Sequence, residues 1–167
     1  MSNPVKFSAL LSMFFLLSCV TKANEKTISF EGFIEVPVVV ENDKQWVTRD
    51  SYFMNNKDPL IGFDIMDEDD VQFIGSEKSA YDFLKAVFSI PSEEIEKTFL
   101  STFSSYSFEE RNYGEIQVFV LSEGDEIKAF ILSKSIPFVL NLSIIGEDSE
   151  IYLEKILNKM KLTKKEN

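Results

Sequence analysis

Histidine is absent from the 167 residues, and cysteine and tryptophan occur once each. Without imidazole there is no Ser-His-Asp or Cys-His nucleophilic pair, no histidine general acid or base and no histidine-containing zinc site. One thiol, Cys19, cannot close a disulfide within the chain, so a single core must stabilise the fold. Glycine is scarce too, at six residues, and none is arranged as G-x-G-x-x-G, a Walker A loop or a nucleophile elbow. Nucleotide-binding and α/β-hydrolase readings therefore lack support. Basic residues number 17 against 28 acids, for a net charge of −11. Such a surface repels nucleic acid and anionic lipid, so no nucleic-acid partner is expected. Repeats, low-complexity tracts and Pro/Gly/Ser linkers are also missing, which leaves one domain as the expectation.

What is present begins with a leader. Lys6 precedes a run from Phe7 to Leu17 that is apolar apart from Ser8 and Ser12, and polar residues take over at Thr21. This is the layout of a secretory signal peptide, and the run is shorter than the ~20 apolar residues that span a bilayer core. Two exits are open. Leu16-Leu17-Ser18-Cys19 resembles a bacterial lipobox, with Cys19 as the lipidation site and residues 1–18 as the leader. Thr21-Lys22-Ala23 is the A-x-A-like alternative, with a leader of 1–23 and Asn24 as the new N-terminus. Either cut leaves an acidic domain over 24–167 without thiol chemistry.

Beyond the leader, Ile28, Phe30, Ile34, Val36, Val38 and Val40 share one parity, which predicts a strand bent near Gly32 and edge-like or bulged near Pro37. The polar stretch 41–59 is expected to carry one short strand around Trp46 to Phe53. Leu60–Met66 and Val71–Ile74 read as strands flanking the acidic turn Asp67-Glu68-Asp69-Asp70. Ala80, Phe83, Leu84, Val87 and Phe88 keep helical spacing up to Pro91. Ser92 is expected to cap a second helix, with Ile95, Phe99 and Phe103 as its buried stripe. Three alternating runs follow, around Ile116–Val120, Ile127–Ile131 and Phe138–Ile144, and short turns join them into an antiparallel meander. The third run is apolar on both parities, which predicts a central strand. The segment "EDSEIYLEKILNKMKL" closes the chain as an amphipathic helix led by acids and ended by lysines. The expected fold class is α+β, an antiparallel sheet with a C-terminal three-stranded meander packed against two or three helices.

The stretch from Gly114 to Leu162, with "KAFILSKSIPFVLNLSIIG" followed by "SEIYLEKILNKMKL", resembles the PsbP/DcrB-like group of α+β domains. That resemblance implies an exported, lumenal or lipid-anchored domain that binds other proteins and has no conserved catalytic site.

Carboxylates are the remaining chemistry. Asp64, Asp67, Glu68, Asp69 and Asp70 fall within seven residues, and Ca²⁺ takes several oxygen ligands. The spacing is not that of an EF-hand, and a charged turn is the plainer reading. A carboxylate pair for glycoside hydrolysis carries little weight among 28 acids. Trp46, Tyr52 and Phe53 stand in a polar stretch where either an interface role or a ring folded under a loop fits. The sequence thus leads to a non-catalytic bacterial envelope protein, lipid-anchored at Cys19, that binds another envelope protein. Its alternatives are a secreted small-ligand or calcium-binding domain and a carboxylate-based hydrolase, and no cofactor, metal site or catalytic residue is expected.

Overall fold

The computed structural model describes residues 24–40, 46–49, 52–55 and 59–163; Cys19, the leader and both cleavage sites lie outside the described residues. The alternation in the first run yields two strands, β1 (Asn24–Phe30) and β2 (Ile34–Val40), paired antiparallel. Between them the Phe33 N–H donates to the Phe30 carbonyl at 3.0 Å, closing a turn in which Glu31 and Gly32 both have positive φ, 51° and 75°. This mirror-image turn matches the strand twist, so the expected bend at Gly32 is a full reversal. β3 (Trp46–Arg49) and β4 (Tyr52–Asn55) form a second hairpin, where one strand was expected. The side chains of Trp46, Tyr52 and Phe53 lie outside the described residues.

β5 (Leu60–Met66) follows as the pattern predicts. The expected strand at Val71–Ile74 is instead part of α1 (Glu68–Phe73). Asp67 and Asp70 form a reciprocal capping box, at 3.1 Å in each direction, and three acids occupy the first turn. Capping and dipole together override a local preference for strand. α2 (Ala80–Ser89) buries all five residues expected, and Ser79 caps it. α3 (Glu94–Ser101) starts one residue later than expected, with Glu93 in the cap position; Ile95 and Phe99 are half-buried on it, and Phe103 lies in the turn beyond it.

The meander then gains a strand. β6 (Ser107–Tyr113) precedes β7 (Ile116–Glu123), β8 (Glu126–Leu132) and β9 (Val139–Ile145). β6 escapes the pattern because it is an edge strand, polar on most of its length. α4 (Ser149–Leu157) is shorter than the periodicity suggests, and Lys161–Leu162 turns back as β10 against Ile34 and Glu35 of β2. β10 stops short of Pro37, which therefore lies where β2 pairs with β1 alone.

Seven strands make one antiparallel sheet in the order β3-β4-β5-β9-β8-β7-β6, and β1-β2-β10 make a second, smaller sheet. β9 is central, as its two-sided apolarity predicts. Strand alternation sends Ile116, Val118 and Val120 of β7, with Leu140, Leu142 and Ile144 of β9, to one face, where β2 and the Leu153, Ile156 and Leu157 stripe of α4 cover them. Phe119, Leu121, Phe130, Leu132 and Val139 face the other way, under α1 and α2. The fold is α+β, with helices packed on an antiparallel sheet.

Candidate binding surfaces

α3 organises the helix-covered face, and one buried acid holds it. Glu96 is fully buried, and its Oε2 accepts from the N–H groups of Ser92 at 2.7 Å and Glu93 at 3.0 Å. Its other oxygen meets the Lys78 ammonium, which also reaches Glu93 at 2.8 Å. Burial alone would push this carboxyl up, but the Lys78 ammonium and the two backbone N–H groups hold it down at about 2, against an ordinary 4.5. The same N–H groups are those left unpaired at a helix start, so Glu96 caps α3 while Lys78 ties it to the approach to α2. A buried glutamate cannot be told from a solvated one by residue type, so Glu96 is not legible as a buried group in the apolar pattern. The capping-box spacing of Glu93 and Glu96 at the head of the Ile95/Phe99 stripe is the signal that could have found it.

On one side of α3 lies a cleft of about 450 Å³. Its floor is a cross-strand row in which Asp64 of β5 stands opposite Asn141 of β9, and Asn141 opposite Phe130 of β8. Asp70 of α1, Phe99, Phe103 and Lys128 border it. The Asn141 Oδ1 is buried with no hydrogen-bond partner. Lys128 is held at 3.3 Å from Glu126, over the Tyr106 ring at 5.1 Å and the Phe103 ring at 5.9 Å. Burial alone would lower its pKa; the Tyr106 hydroxyl and Glu126 raise it above the usual lysine value. Lys128 is therefore a fixed, compensated cation.

On the other side of α3 an apolar groove of about 410 Å³ runs beside β6, lined by Leu100, Phe103, Tyr106, Phe108 and Leu121 around Phe88. Phe88 gathers the cluster, with ring centroids 5.0 Å from Phe119, 5.3 Å from Phe130 and 5.6 Å from Phe108, the last stacked at 8°. Phe108 remains 49% exposed at the sheet's edge. β6 is the last strand of the seven, so its outer rim lacks a strand neighbour among the described residues. Its opposite face is clamped: Arg111 reaches Glu109 at 2.9 Å, Glu150 at 2.8 Å and Glu154 at 2.9 Å, the last two on α4. Two further apolar side chains project from the helix layer, Phe73 at 92% and Ile90 at 82% exposed.

Asp67 and Asp70 are engaged with each other's backbone in the cap of α1, and of the acidic run Asp64 and Asp70 border the cleft. Among the described residues no group of three or more acids is placed to hold a metal ion. No described helix is long and apolar enough to cross a membrane.

No protein-family model matches the chain, and no curated protein matches it significantly. Among solved structures, the Ran-binding protein Mog1p of Saccharomyces cerevisiae is similar at 12% identity with a TM-score of 0.43, covering 84% of this chain and 96% of that one.

Proposed function

We propose that this chain is an exported, non-catalytic protein of the bacterial envelope, lipid-anchored at Cys19, whose domain binds a partner protein by taking an extended segment of it alongside β6. The observation that carries this reading is the apolar groove next to an edge strand, with Phe108 half exposed between them. An unpaired edge offers backbone hydrogen bonds to an incoming strand, and a neighbouring groove accepts its alternate side chains. The acidity of the chain, at net −11, and Glu110 on the edge itself favour a segment with basic residues flanking an apolar one.

The test has two arms. Intact mass of the mature protein from a bacterial membrane fraction should show a chain starting at Cys19 with an added diacylglyceryl group and fatty acyl chain. A photo-reactive residue at position 108 should then cross-link one discrete partner segment, and Glu110→Lys should weaken that product while leaving the melting temperature unchanged. A soluble chain starting at Asn24 would remove the anchor; cross-linking indifferent to Glu110→Lys would remove the docking mode.

A further inference from the structure

The backbone of β6 fixes which of its residues an incoming strand would meet. Gly114 and Glu115 alone join β6 to β7, with Gly114 at φ 64°, so the closing pair Tyr113/Ile116 is a hydrogen-bonded one. Pairs alternate from there, and Arg111, Glu109 and Ser107 turn their backbone groups inward to Val118, Val120 and Ser122. The turn at Gly124 and Asp125 gives the same parity independently, because it commits Glu123, Leu121, Phe119 and Gln117 of β7 to β8. The N–H and C=O groups of Phe108, Glu110 and Asn112 therefore point outward. Strand alternation puts the side chains of these three on the helix-covered face, where Phe108 meets Phe88 and Phe119.

An antiparallel segment bonded to this edge, the pairing used throughout the sheet, places one residue opposite each of the three, two positions apart and on the same face. Opposite Phe108 the groove around Phe88, Leu100 and Leu121 takes an apolar side chain, and Lys97 at its border repels a cation there. Opposite Glu110 stands a carboxylate that accepts from the neutral amides of Gln117 at 2.8 Å and Asn112 at 3.4 Å. Those bonds leave its charge uncancelled, which favours a lysine or arginine across from it. A second copy of this chain is the wrong occupant, because two β6 strands paired about their centres set Glu110 against Glu110. We infer, resting on the docking along β6 proposed above, that the partner segment runs antiparallel to β6 and carries a basic residue two positions before a large apolar one. The basic residue lies opposite Glu110 and the apolar one opposite Phe108.

Three capped peptides test this on the mature protein, followed by amide chemical shifts: Thr-Asn-Thr-Lys-Thr-Phe-Thr, the reversed sequence, and a form with Glu in place of Lys. The first should shift Phe108, Glu110 and Asn112 in a saturable way and bind about fivefold more tightly than either of the others. Glu110→Lys changes one exposed side chain and should invert the charge preference, so that the Glu peptide binds more tightly than the Lys peptide. Equal binding of the three peptides at 108–112, or a charge preference that Glu110→Lys leaves uninverted, would overturn the motif while docking along β6 stands. No shift of these residues by any peptide at about 10 mM would overturn the motif and the docking together.

Discussion

Glu96 carries the clearest consequence at the scale of a residue. Its carboxyl stands at about 2 in the folded chain and near 4.5 when unfolded, so the stability it contributes is fully present above about pH 4.5 and drains away as the pH falls towards 2. Urea denaturation between pH 6 and pH 2 should show that loss, and Glu96→Gln should flatten it while lowering stability at pH 6 by about 2 kcal/mol through the lost charged cap. A variant with an unchanged acid profile would mean that other carboxylates govern acid unfolding. Glu31 gives the opposite sign. It sits at φ 51° with a Cβ, where asparagine is better tolerated, so Glu31→Asn should raise stability by about 0.5 kcal/mol in thermal melts. Neither residue stands out in the sequence: Glu96 looks like one more acid of a helix's first turn, and positive φ at position 31 follows from where the hairpin closes.

Elements differ in how far the sequence alone reveals them, and the difference is physical. α2 and the β7 to β9 strands were legible because burial imposes a period, 3.6 or 2, on their apolar residues. α1 was misread since six residues are too few to display a period, and its cause is the Asp67/Asp70 cap rather than a stripe. β6 was invisible because an edge strand shields itself with polar residues, yet it borders the groove. Of the two openings, the acids of the cleft were noticed, while Asn141 and Lys128, which also line it, come from strands read for their apolar parity. The clamp on β6 is testable at this scale. Arg111→Ala should release the strand from Glu150 and Glu154 of α4, seen as faster amide exchange over 107–113 with little change in β8 or β9. Equal acceleration throughout the sheet would mean that the clamp serves global stability instead.

Across the whole molecule, the seven-stranded sheet separates two apolar cores of different make-up. One, under α4 and the small sheet, is continuous and closed by Leu153, Ile156 and Leu157. The other, under α1 to α3, is aromatic and interrupted by the cleft and the groove, which share Phe103 as a wall. Phe88 joins three rings of that second core and the half-exposed Phe108, and Phe88→Ala should cost about 3–5 kcal/mol in chemical denaturation. A loss below about 1 kcal/mol would show that the cluster repacks freely. The placement of both openings on the helix-covered face, opposite the α4 layer, is the basis for treating that face as the one that meets other molecules. The most direct measurement is site-specific photo-cross-linking in the bacterial envelope from position 108, compared with position 151 on the exposed face of α4. The account predicts one discrete, salt-sensitive product from 108 that Glu110→Lys weakens, and none of it from 151. The same product from both positions, or none from 108, would contradict it.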